Sequence, residues 1–153
     1  MTGQPHQRLS VQDVDPSASQ AVFGLESYVR GSDLEKPLYE LIKIRASQIN
    51  GCAFCLDMHL RDARNAGEDQ RRLDVICAWR EAEYLYTKRE QAALALTESV
   101  TRISDDGVPD DVWAMALEQF GEPGVVHVLM AIATINVWNR LAVTVHQALP
   151  DLR

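Results

Sequence analysis

Positive charge is in short supply. Lys and Arg total 15 against 22 Asp and Glu, a formal net charge of −7. Nucleic acid and anionic membranes both select basic surfaces, so neither is an expected partner. The N-terminal stretch MTGQPHQRLS has no apolar core of the kind a secretory signal needs, and the expected compartment is the cytoplasm. A clean hydrophobic run is also missing. Residues 125–145 come closest, but His127, Asn136, Asn139 and Arg140 interrupt them, too polar a set for a lone membrane span. No stretch alternates with period two, and no Asn-Gly or Asp-Gly sits between β-branched runs, so strands are not expected. Internal repeats, heptad runs and low-complexity tracts are absent too. Cysteines number only three. In a reducing compartment a close cysteine pair is more often catalytic or metal-binding than a permanent staple.

What is present is helical punctuation. The 153 residues suffice for one domain with a real core, and residues 1–15 read as a polar, loose arm. Asp15-Pro16-Ser17 predicts a helix start, with the helix running to about Arg30. Ser32-Asp33-Leu34-Glu35 has the capping-box pattern, and Leu38, Leu41, Ile42, Ala46 and Ile49 then recur at helical spacing up to Asn50-Gly51. Further helices are expected over about Cys52–Ala66 and Asp69–Ala78, from Thr87 behind a second capping box, over Asp110–Phe120, and after the GEPG break to about Leu149. The expectation is an all-α, single-domain fold of six or seven helices. The last helix is apolar nearly all round, which normally means burial on both sides. One face, Val125, Val128, Leu129, Ile132 and Ile135, should cover the core. The other, Val126, Met130, Ala133, Val137 and Leu141, should meet a second copy of the chain in a homo-oligomer.

The segment SQINGCAFCLDMHL, residues 47–60, concentrates the chemistry. A helix beginning near Cys52 places that residue at the N-terminus and Cys55 in the first turn, where partial positive charge favours a thiolate. Cys55 and His59 are one turn apart on one face, so the imidazole can take the thiol proton. Cys52 and Cys55 are close enough to bridge. These residues permit a redox pair. They also permit a zinc site on Cys52, Cys55 and His59, but a fourth ligand is then needed and no second pair at ligand spacing exists. Haem attachment requires His directly after the second Cys, where Leu56 stands. Cys77, in an apolar helical stretch, reads as a small buried hydrophobe. His6, His127 and His146 have no functional signature.

Residues 40–59, ELIKIRASQINGCAFCLDMH, resemble the core motif of the alkylhydroperoxidase D (AhpD)-like group of the carboxymuconolactone decarboxylase superfamily. The matching positions are Glu40, Arg45, Ser47-Gln48, Asn50-Gly51-Cys52, Cys55 and His59, then Ala63 and Gly67, and the clear match spans about residues 35–73. The resemblance implies an all-α fold, a symmetric oligomer such as a trimer or hexamer, and a thiol peroxidase that needs no metal or organic cofactor. It implies Cys55 as the peroxidatic cysteine, Cys52 as the resolving one, and His59 with Glu40 as a proton relay. A hydroperoxide would be the substrate and an external dithiol the reductant. One position departs: well-studied members carry a second His two residues after the first Cys, and here Phe54 stands there. A disulfide oxidoreductase and a zinc-binding or redox-sensing oligomeric module are the alternatives. Spacing alone cannot bring Glu40 to Cys55, since they lie on different helices. Arg45, Ser47, Gln48 and Asn50 are expected to fix the turn that presents the cysteines.

Overall fold

The computed structural model describes residues 6–150. The regular structure among them is entirely helical: α1 (Val11–Val14), α2 (Pro16–Arg30), α3 (Lys36–Asn50), α4 (Ala53–Asn65), α5 (Gln70–Val75), a 3-10 stretch (Ile76–Leu85), α6 (Lys88–Thr101), α7 (Ile103–Asp106) and α8 (Asp110–Val145). The expected all-α class is observed. The single turns α1 and α7 are additional to the expected helices.

Local chemistry sets most boundaries. The Asp15 carboxylate accepts from Ser17 N and Ala18 N ahead of Pro16, and Thr87 and Glu90 form a reciprocal capping box for α6. Gly51 closes α3 at φ 65°, a left-handed conformation that glycine adopts without a Cβ penalty. The Ser32 capping box does not form. The helix opens at Lys36 with Pro37 in its first turn, and the Ser32 hydroxyl donates to Val29 O instead. Proline's fixed φ and missing N–H make it the stronger start signal there.

The centre of the molecule is α3, packed against α4, α6 and α8. Every residue from Leu38 to Ser47 is buried, including Glu40, Lys43, Arg45 and Ser47. Ile42 and Leu38 join Leu96, Val125, Val128 and Ile132 in one apolar cluster. Leu41 and Ile44 join Ile76, Trp79 and Leu94 in a second. Each such fully buried aliphatic side chain contributes about 1.5–3 kcal/mol.

The GEPG break appears as a kink at Gly121 (φ 65°, ψ 172°) within α8. This helix ends at Val145, with His146 in a left-handed cap, rather than near Leu149. By length and composition it could cross a membrane. Here its inner face packs on α2, α3 and α6, and its buried Thr134 and Asn139 donate to Met130 O and Ser47 Oγ. The expected split of its surface holds in part: Val125, Val128, Ile132 and Ile135 are buried and Val126 and Ala133 exposed, but Leu129, Val137 and Leu141 are half-buried and Met130, expected to face outward, packs against the core.

Two expectations need correction. Residues 1–5 of the arm lie outside the described residues, but 6–15 are not loose. Arg8 N donates to Val145 O (2.8 Å), Arg8 Nη1 to Thr144 O (2.9 Å), and α1 forms behind a Ser10 cap. The segment is a strap across the end of α8. Cys77 is exposed, not buried. The chain turns to 3-10 geometry at Ile76 and kinks at Ala78 (φ −119°). The helical period is thereby lost, and Ile76 and Trp79 take the inward positions.

Candidate active site

The cysteine turn is tied to its surroundings by amides. Asn50 Nδ2 donates to Asn136 Oδ1 (3.0 Å) and Asn139 Oδ1 (2.9 Å) on α8, and Asn139 Nδ2 donates to Ser47 Oγ (3.0 Å). Arg45 bonds Glu98 (2.7 Å) and Gln48 (3.2 Å). Ser47 and Asn50 thus tie the α3–α4 turn to α8 as expected, whereas Arg45, bonded to Gln48 on its own helix, ties α3 to Glu98 on α6. Cys52 is the N-cap of α4, and its sulfur accepts from Cys55 N (3.3 Å). Its own N–H donates to Ser47 O (3.0 Å).

Cys52 and Cys55 are joined as a disulfide, with Cα atoms 5.4 Å apart. Both are buried. Cys55 reaches a cavity of about 400 Å³ whose wall also includes His59, Phe54, Met58, Phe23, Ile135 and Trp138. Cys52 is not part of that wall. The two sulfurs are therefore inequivalent: that of Cys55 belongs to a residue of the cavity wall, and that of Cys52 lies outside that wall, packed with Ala46 and Ile135.

His59, on α4, points its Nδ1 at Glu40 Oε2 (2.8 Å) on α3, and both side chains are buried. The Nδ1–H to carboxylate bond fixes the tautomer that leaves Nε2 free to accept a proton. The packing of α3 on α4 makes this contact, which lies beyond the reach of spacing within one helix. All four candidate residues, Glu40, Cys52, Cys55 and His59, are thus gathered within two helices and one turn.

The family profile named for carboxymuconolactone decarboxylase matches residues 16–99, more than half of the chain, and that span contains all four. The chain belongs to the carboxymuconolactone decarboxylase family. It is 39% identical over 137 residues to the uncharacterized protein YdfG of Bacillus subtilis, covering 90% of this chain and 92% of that protein. A crystal structure from Agrobacterium tumefaciens, a protein of unknown function proposed to be the antioxidant defence protein AhpD, superposes with TM-score 0.91. It is 39% identical, and the match covers 95% of this chain and 99% of that one. An uncharacterized peroxidase-related protein from Silicibacter sp. shares the fold at TM-score 0.77 and 20% identity, over 90% of this chain and 72% of that one. The two solved structures share this chain's all-helical fold.

Further residues of the site carried no signal of their own in this family member's sequence. Glu26 (α2) and Lys43 (α3) form a buried ion pair at 2.5 Å in the same cavity wall. Trp138 Nε1 donates to Glu26 as well (3.3 Å), and the Lys43 ammonium sits 4.3 Å from the Tyr39 ring centre. Burial pushes the Glu26 carboxyl up, but Lys43, Arg30 and Trp138 outweigh it and hold the pKa below the usual carboxylate range. Burial pulls the Lys43 ammonium down, against the opposing pull of Glu26. These partners come from three helices, so no spacing rule joins them. Asp62 does have a spacing signal, one turn beyond His59, and it lines the same cavity.

Proposed function

We propose that this protein is a thiol peroxidase that reduces organic hydroperoxides through Cys55. The observation that carries the reading is the inequivalence of the pair: Cys55 lines the apolar cavity beside His59, and Cys52 sits behind it within bonding range. In the reduced form His59 Nε2 takes the Cys55 proton, and the Glu40 carboxylate compensates the imidazolium. The thiolate attacks the O–O bond, the distal oxygen stays on sulfur as sulfenic acid, and the imidazolium returns its proton to the departing alkoxide. The Cys52 thiol then condenses with the sulfenic acid, releasing water and forming the Cys52–Cys55 disulfide. An external dithiol reduces it by exchange, which suits a reducing, cytoplasmic setting. Sulfur supplies both electrons, so no metal or organic cofactor takes part in the cycle. The AhpD proposal for the Agrobacterium protein supports the same chemistry here.

The decisive assay is consumption of cumene hydroperoxide with a dithiol reductant, alongside intact mass after one equivalent of peroxide. Wild type should turn over and lose about 2 Da, the mass of two hydrogens, on forming the disulfide. Cys55→Ser should do neither. Cys52→Ser should stall as a sulfenic acid, a gain of one oxygen. Equal turnover by wild type and Cys55→Ser would refute the thiol mechanism. Faster turnover of a small-molecule disulfide than of any hydroperoxide would reassign the pair to disulfide exchange.

A further inference from the structure

Glu40 faces two ways. Its carboxylate holds His59, yet the residue also lines a second cavity, of about 470 Å³, whose wall does not include Cys55. Asp62 and Arg30 line both cavities. In this second cavity lies Tyr39, 6% exposed, whose hydroxyl finds no hydrogen-bond partner among the described residues. A buried hydroxyl left in that state costs about 1–3 kcal/mol.

Glu40, His59 and Asp62 each bring one ligand atom to within 4.8 Å of the others. The Glu40–His59 separation of 2.8 Å is a hydrogen-bond distance; two ligands each about 2.1 Å from one cation lie about 3.0 Å apart in octahedral and about 3.4 Å apart in tetrahedral geometry, so the pair opens by roughly 0.2–0.6 Å to admit a metal. Asp62 is exposed and follows His59 by three residues on α4, so its side chain can turn in without moving backbone. We propose that Glu40, His59 and Asp62 form a first-row divalent cation site, with Tyr39 bordering the cavity that supplies the remaining water ligands. An imidazole and two carboxylates suit Zn2+, with Mn2+ a weaker occupant. Arg30 and Lys36 also line this cavity, and their charge limits affinity, so the site is one for reversible occupation and not a permanent structural centre.

Occupation has a chemical consequence, which rests on the peroxidase reading. A metal on His59 Nδ1 replaces the Nδ1–H···Glu40 bond and moves the ring proton to Nε2. The nitrogen that should accept the Cys55 proton then already carries one. The cation is thus an inhibitor that acts on the relay without touching either sulfur.

Binding is tested first and independently of turnover. Calorimetric titration of the disulfide form with Zn2+ removes the thiolates as competing ligands. One saturable equivalent is expected, weakened at least ~10-fold in Asp62→Asn and retained in Asp62→Glu. Absence of saturable binding, or affinity unchanged in Asp62→Asn, overturns the site. Inhibition is tested second, with Mn2+, which thiolates bind weakly, and with each variant normalised to its own metal-free rate. Wild type should lose turnover over the concentrations at which it binds Mn2+, and Asp62→Asn should not. An active enzyme that binds Mn2+ without losing turnover overturns the inhibitory role. A protein that binds Zn2+ but turns over no peroxide in any form would instead count against the peroxidase reading alone.

Discussion

At the scale of single residues, the informative substitution is Glu40→Gln. Gln preserves the shape and can still accept from His59 Nδ1, but it cannot compensate an imidazolium in a site where both side chains are buried. Peroxide turnover should fall about 100-fold, the low end of what a positioned acid–base pair contributes, while the thermal midpoint stays near that of wild type. Steady-state kinetics with saturating dithiol measure the first and a melting curve the second. An undiminished rate would remove Glu40 from the relay. The legibility of the four residues differs for a physical reason. Cys52, Cys55 and His59 lie on one helix and its cap, so spacing alone places them together. Glu40 meets His59 only through the packing of α3 on α4, and its expected role came from resemblance to a family motif. Glu26 and Lys43 had neither route, since their ion pair crosses helices outside any local pattern.

At the scale of elements, the first half of the 3-10 stretch is clamped to the core through Glu98 on α6. Its carboxylate accepts from Arg45 and Trp79 and pairs with Arg80. Burial pushes this carboxyl up, but Arg80 and Arg45 outweigh it and hold the pKa below 4.5, the ordinary Glu value. A depressed folded-state pKa gives stability that is fully present above pH 4.5 and lost as pH falls through the lower folded value. Glu26 acts in the same direction. Glu98→Gln should therefore cost about 3 kcal/mol at neutral pH, because buried Arg45 loses its counter-charge. It should also reduce the loss of stability as pH falls below 4.5, leaving the slope due to the other carboxylates held low, Glu26, Glu35 and Asp15. Urea melts across this range decide it, and a variant with the same acid slope as wild type would show that Glu98 is not the group responsible. The helices whose ends are set by Asp15, Gly51 and Thr87 were readable, because caps are local chemistry. The 3-10 stretch was not. A kink at Ala78 erases the 3.6-residue period on which the inward assignment of Cys77 depended.

At the scale of the whole molecule, an apolar row on α8 is only partly covered within a single chain. On α8, Val126 is 49% exposed and Ala133 is exposed, while Met130, Val137 and Leu141 are partly so. From Val126 to Leu141 this row runs about 22 Å at 1.5 Å per residue. The apolar pattern was readable in the sequence, but only the packed fold shows which side stays outside. A row of that length can centre a self-complementary interface if its flanks bring the buried area to roughly 1,600 Å². Wild type should therefore elute as an oligomer, and Val126→Glu/Ala133→Glu should elute as a 17.1 kDa particle, because each added carboxylate would be buried without a partner. Light scattering coupled to size exclusion reads both, and a wild-type monomer at assay concentration would end the expectation. Leu141 adds a second readout, since it belongs to the outward row and also lines the cavity of Cys55. Dissociation exposes that wall to water, so the monomeric variant should show a raised KM for a bulky hydroperoxide and little change for hydrogen peroxide, which needs no apolar wall.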